Sequence, residues 1–281
     1  MSPRLRALGR LAVFAGIAFV LFPSKKYWLP KLIPGLHGVA GYVVEHMIEL
    51  VAILVAGAIM AAVERRPFGD YGLPLRQVFR ARFWQGAGAG IAALTLLVVA
   101  LSRVGALTIS APAALSFQAA IPFLGYAVLF FLLALREEFL YRGLGLVILS
   151  EIVGFWLAAL ASTAWFTASH AGNVNENLIG LANVALFGVF ACLTLKRTGN
   201  LWLAVGFHMT WDWGQTYLFG VGDSGHPPAP GHLFAALVPP TSPKWLSGGS
   251  VGPEGSLLCT AVCVILGVAA ACWPGPNRRS A

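Results

Sequence analysis

The sequence predicts an all-α fold, a polytopic membrane helix bundle of about eight transmembrane helices, as a single integral membrane domain over 1–281. Three observations carry this. Of the 281 residues 58% are hydrophobic and only 11% charged, well below the quarter or so of charged residues usual in a soluble domain. The mean hydropathy is +0.76. The apolar residues also gather in long runs, and a helix needs about 20 of them in succession to cross the hydrocarbon core.

In chain order the candidate spans are 7–23, 38–63, 83–102, 120–150, 154–170, 177–195, 200–219 and 255–273. The first has the basic flank and short apolar core of a signal peptide. It lacks a clear small-residue cleavage site and further spans follow, so an uncleaved span is expected. The second holds "YVVEHMIEL", whose Glu45, His46 and Glu49 are expected to snorkel at the interface. The basic loop "ERRPFGDYGLPLRQVFRARFW" separates the second span from the third. The fourth carries charge at its centre, in "FFLLALREEFLYRGLGLVIL"; the fifth ends on "WFTASH"; the sixth stops at the basic turn "KRTGN"; the seventh contains "VGFHMTWDWGQ".

Between the seventh and eighth spans lies one long Pro/Gly/Ser-rich loop, Gly222–Gly255, where His226 and His232 are expected to be exposed. The eighth span holds Cys259, Cys263 and Cys272. With Cys192 they read as small packing residues, because the i, i+4 pair lacks the second Cys/His pair of a zinc site.

The net charge of +8 comes from 19 Lys and Arg against 11 Asp and Glu. These basic residues lie between apolar runs and form no aromatic-interleaved patch, a pattern of membrane topology and not of nucleic-acid binding. A cytoplasmic N-terminus puts twelve basic residues on the inner side and five outside, with Arg136 and Arg142 inside a span. Both termini are then cytoplasmic, the membrane is the cytoplasmic (inner) one, and the 222–255 loop faces outward.

Charged groups at bilayer depth cost about 2.5–3.5 kcal/mol each unless paired or hydrated, so they mark function by default. Glu138 and Arg142 are four apart with the acid first, the favourable order for a helical ion pair. Glu137 sits about 100° away on the helix and is freer to act, while Arg136 has no partner within its own helix. A turn near "SEIVGFW" makes the fourth and fifth spans a helical hairpin. The midpoint between positions 137 and 170 falls inside that turn, so Glu137 and His170 reach the same depth and could share one water. His208 and Asp212 lie four apart on one face of the seventh span, at roughly comparable depth.

The residues "EEFLYR", "FTASH" and "HMTWD" resemble, in order, the EExxxR, FxxxH and HxxxN/D motifs of the CPBP intramembrane proteases, the family of type II CAAX prenyl endopeptidases and bacteriocin-related membrane proteins. The motif-bearing core is about 120–220. The resemblance implies an intramembrane endopeptidase acting on a membrane-embedded or lipidated peptide or protein substrate. Glu137 with His170 would activate a water, His208 would stabilise the oxyanion, and Glu138 with Arg142 would hold Glu137 in position. Asp212 stands where these proteases commonly have Asn. An ionised carboxylate would repel an oxyanion, so Asp212 is protonated, orients His208 or binds a cation. Two His with acidic neighbours could suit Zn²⁺, but no HExxH helix is present and the spacing specifies no metal. The rival readings are an ion-coupled transporter, against which the lack of an inverted repeat weighs, and a noncatalytic membrane scaffold.

Overall fold

The computed structural model describes residues 9–10, 12, 16, 31, 33, 38–110, 112 and 117–274. The expected first span, 7–23, falls almost wholly outside them, as do Arg4, Arg6, Lys25, Lys26, Arg278 and Arg279 from the count that oriented the termini. Within the described residues the fold is all-α. The principal helices are α1 (Gly38–Glu64), α2 (Ala81–Arg103), α3 (Phe117–Glu138), α4 (Val147–Val153), α5 (Phe155–His170), α6 (Leu178–Thr198), α7 (Trp202–Trp213) and α8 (Leu257–Cys272).

Among the described residues, four helices are long and apolar enough to cross a membrane: α1 from Val43, α2, the continuous run Ala120–Val153, and α6. They mark an integral membrane protein. The expected fifth, seventh and eighth spans are shorter helices, 16 residues in α5, 12 in α7 and 16 in α8. Helix α5 ends at His170, α7 runs on into wide turns over Gly214–Leu218, and α8 begins at a Ser256 cap. By length and composition, four of the seven expected spans that fall within the described residues qualify as crossings.

The long central helix is not uniform. After Glu138 it runs in wide π-type turns over Phe139–Leu146 before resuming as α4. It ends at Gly154, whose φ of 80° and ψ of 162° lie in a region that a side chain resists. The chain reverses there into α5, so the expected hairpin pivots where the midpoint of positions 137 and 170 places it.

Helix α7 is set by close approach to α2. A Cβ on Gly86 would come within 1.9 Å of the Leu203 carbonyl oxygen, and one on Gly206 within 2.2 Å of that of Phe83. Small residues at such crossings let two backbones touch, which substitutes for the hydrophobic effect that lipid cannot supply. Thr210 Oγ1 also donates to the Ala87 carbonyl at 2.8 Å. Helix α8 is pinned to α6 through Asn183, whose Nδ2 donates to the Ser256 carbonyl at 3.0 Å and whose Oδ1 accepts from Thr260 Oγ1 at 2.7 Å.

At one end of the bundle, Thr108–Ile109 (β1) pairs antiparallel with Ala236–Leu237 (β2), joining the loops after α2 and α7. Elsewhere Arg66 Nη1 meets Glu151 Oε1 at 2.8 Å, joining the end of α1 to α4. Two buried apolar clusters fill the interior. One is built around Phe139, Leu140 and Leu144, the other around Leu94, Phe207 and Cys259.

Candidate active site

A cavity of about 350 Å³ is lined by Glu137, His170, His208 and Asp212 together. Three helices, α3, α5 and α7, thus contribute to one space, and α1 adds His46 and Glu49.

His208 is its hub. Its Nδ1 lies 2.9 Å from Glu138 Oε1, while its Nε2 lies 3.4 Å from Asp212 Oδ2 and 3.8 Å from Glu137 Oε2. A carboxylate accepts, so Nδ1 is the donor to Glu138. Nε2 then faces two more carboxylates, those of Asp212 and Glu137. The ring is packed by Phe187 at a centroid distance of 4.9 Å.

Glu138 and Arg142 form the expected pair, at 3.2 Å and with both side chains 0% exposed. The guanidinium lies 4.0 Å above the Phe166 ring, so α5 supplies a second support for the buried cation. Glu138 thus serves Arg142 and His208 through the same oxygen, a double role the spacing did not disclose.

Two expectations are corrected here: Arg136 meets Glu49 of α1 and, within its own helix, the adjacent Glu137, so Arg136 has a partner on its own helix and Glu137 is held by a cation that i, i+4 spacing does not reveal. The expectation that His46 and Glu49 snorkel at the interface is corrected: His46 is 3% and Glu49 6% exposed, and both face the cavity. A cation inside a span demands a buried carboxylate, and α1 brings one.

His170 sits at the end of α5, its Nδ1 2.8 Å from the Phe166 carbonyl oxygen. The carbonyl accepts, so Nδ1 carries a proton and Nε2 is the ring nitrogen left to meet a water. The adjacent Ser169 accepts from Tyr141 OH at 2.9 Å, which locks the α5 terminus to the π-type segment.

The long Gly222–Gly255 loop also reaches the cavity, through Asp223, Ser224, His226 and Glu254. His226 is nonetheless exposed, as expected, whereas His232 is part-buried with its Nδ1 2.9 Å from the Ala229 carbonyl oxygen, which corrects the expectation for that residue. Ligand-capable atoms of Asp212, Asp223 and Glu254 lie within 4.8 Å of one another and could hold a divalent metal. Three carboxylates are hard oxygen donors, suited to Mg²⁺, Ca²⁺ or Mn²⁺ ahead of the Zn²⁺ considered from the sequence. Glu254, however, accepts from Trp211 Nε1 at 2.7 Å, Gln215 Nε2 at 3.0 Å, Ser224 Oγ at 2.8 Å and Ser224 N at 3.1 Å. Those four bonds use the roughly four acceptor sites of a carboxylate, so a metal would have to displace one. Outside the spans, burial first and the Glu254 charge second raise the Asp223 carboxyl well above its ordinary range.

Sequence reasoning missed Glu49, Asp223 and Glu254. Glu254 carried a usable signal, a lone acid in "GPEGS" directly before an apolar helix; Asp223 in "GDSG" looked like any turn residue. Cys259 and Cys263, read as packing residues, also line the cavity.

Residues 119–214 match the family model described as Type II CAAX prenyl endopeptidase Rce1-like. The match spans Glu137, Glu138, Arg142, His170, His208 and Asp212, and leaves His46, Glu49, Asp223 and Glu254 outside it. No curated protein and no solved structure matches the chain.

Proposed function

We propose that this protein is an intramembrane endopeptidase of the CPBP type, hydrolysing a peptide bond of a membrane-associated substrate. The observation that carries the reading is the convergence of Glu137, His170 and His208 from three helices on one cavity, inside the region that the family model matches.

In this reading Glu137 takes a proton from a water as its oxygen attacks the scissile carbonyl, and His170, through Nε2, shares the orientation of that water. His208, protonated on Nε2, donates to the oxyanion as the carbonyl becomes tetrahedral. The proton on Glu137 then passes to the leaving amine, and the peptide C–N bond breaks. Glu138 fixes the His208 ring from behind, and Arg142 holds Glu138.

Asp212 has a role consistent with its position: it faces His208 Nε2 at 3.4 Å and so orients and stabilises the imidazolium. Arg136 shares its charge between Glu49 and Glu137, which keeps the base in place without engaging it alone. Both termini are assigned to the cytoplasm from the basic residues.

Protein N-termini compared between cells carrying the intact chain and cells carrying Glu137→Gln test this. New N-termini that vanish with Glu137→Gln and His170→Ala support the reading, and N-termini unchanged by either variant overturn it. A metal-dependent variant of the same hydrolysis is favoured by the Asp212, Asp223 and Glu254 spacing alone. Loss of cleavage on chelation, restored by Mg²⁺ or Mn²⁺, would select it. Ion flux in proteoliposomes without cleavage would select the carrier, and neither activity the scaffold.

A further inference from the structure

We propose that Cys259 and Cys263 form a dithiol modification site in the wall of the cavity, taking a thiophilic ligand that bonds both sulfurs at once, as trivalent arsenic does. The inference does not rest on the hydrolytic reading.

The two thiols stand one turn apart on α8, with their Sγ atoms 3.9 Å from each other. Both side chains line the cavity, beside Phe190, Phe207 and Leu266. Their helix is held at its start, where Ser256 Oγ accepts from Cys259 N at 3.1 Å and Thr260 is bonded to Asn183. The pair is therefore preorganised, and a ligand that bridges it loses little chain freedom.

The gap suits a bridging atom better than a direct bond. A disulfide needs sulfurs about 2.05 Å apart, roughly half the present separation, and closing it would distort a pinned helix. Soft ligands and soft centres pair preferentially, so arsenic(III) favours sulfur over the carboxylates across the cavity. With phenylarsine oxide the step balances. Two As–S bonds form, the As–O bond breaks, both thiol protons leave with that oxygen as water, and arsenic stays trivalent.

The other two cysteines offer no such pair. Cys192 is buried against Thr163, and Cys272 is exposed at the far end of α8.

The full chain in detergent, treated with one equivalent of phenylarsine oxide and analysed by intact mass, tests the site. One arsenical per chain is expected, with two of the four thiols lost to N-ethylmaleimide and recovered with a dithiol. Cys259→Ser and Cys263→Ser are each expected to weaken the adduct at least about 100-fold, from the loss of one of two bonds. Cys192→Ser and Cys272→Ser should leave it intact. Leu266→Trp, which fills the cavity beside the pair, should slow addition at least about tenfold by obstruction. No arsenical mass added to the folded protein, an adduct indifferent to both Cys259→Ser and Cys263→Ser, or a rate unmoved by Leu266→Trp would each overturn the proposal. Mass and thiol counts need no substrate, so their failure is separable from a failure to find cleavage.

Discussion

The Nδ1 of His208 stands 2.9 Å from the Glu138 oxygen that the Arg142 guanidinium contacts at 3.2 Å. One carboxylate oxygen therefore couples an imidazole that faces the cavity to a cation sealed within the bundle. Breaking a buried pair by removing one partner costs about 3–5 kcal/mol, whereas replacing both by apolar groups is often near neutral. Glu138→Leu and Arg142→Met are each expected to lose about that much stability, and the double variant less than either. Unfolding of the purified proteins in detergent checks this; a double variant as unstable as the sum would show that the pair is not the coupling.

The α2–α7 crossing makes a sharper prediction. Gly86→Val and Gly206→Val push a side chain into backbone oxygens that cannot rotate aside, so each should cost about 1–3 kcal/mol or more. Gly88 lies between the contact positions with nothing within 4 Å of its would-be Cβ, and Gly88→Val should be close to neutral. Equal losses at Gly86 and Gly88, read by thermal unfolding, would contradict the close packing.

Asp212→Asn keeps an oxygen able to accept from His208 Nε2, and Asp212→Leu does not. A hydrogen bond to a charged group contributes about 1.5–3 kcal/mol, or about 10–100-fold in rate. Cleavage of a substrate identified by the N-terminus comparison should fall by that factor in Asp212→Leu and by less than about tenfold in Asp212→Asn. A complete loss in Asp212→Asn would point to the carboxylate charge, as a cation site requires.

Glu254 anchors the Gly222–Gly255 loop through Trp211, Gln215 and Ser224. Glu254→Gln turns an amide N–H₂ toward donors on one side and should loosen the loop by about 1.5–3 kcal/mol. Limited proteolysis within the loop, which follows the population of the open form when reclosing is fast, should then speed up about 10–100-fold. An unchanged rate would mean that other contacts hold the loop.

Tyr71, in the basic loop between α1 and α2, is 0% exposed and lies under the Arg66 guanidinium at 4.2 Å. Burial pushes its phenol up to about 12, against about 10 in an unfolded chain. From pH 10 to 12 the unfolded chain releases that proton while the folded one keeps it. The folded state binds more protons there, so stability is complete below about pH 10 and declines as pH rises through 12. Tyr71→Phe should flatten that decline in alkaline unfolding curves, and an identical slope would refute it.

Much of the fold was legible because a bilayer imposes simple rules. Apolar length gave α1, α2, the long central helix and α6; the hairpin turn was read from the break at "SEIVGFW", and counting residues on its two arms then gave Glu137 and His170 a common depth. Helical spacing also gave Glu138 with Arg142. Illegible were the contacts that depend on which helices become neighbours: Glu49 on Arg136, and Glu138 on His208 across two helices. The Gly222–Gly255 loop was illegible for another reason. Its Gly and Pro content marks turns but not where they lead, and its acids are drawn to the cavity by donors on α7 and the wide turns after it, Trp211 and Gln215 for Glu254, Gln215 and Thr216 for Asp223. The shortness of α5, α7 and α8 was hidden because hydropathy averages over the wide turns and caps that end them.

Gly154 makes the depth of the hairpin a matter of arithmetic. One residue inserted between Glu137 and that pivot would move the carboxylate about 1.5 Å along its axis and swing it about 100° around it, leaving the hydropathy profile almost untouched. The length of each arm is in effect a ruler, and relatives that keep every functional letter but miscount the interval would hold a broken instrument.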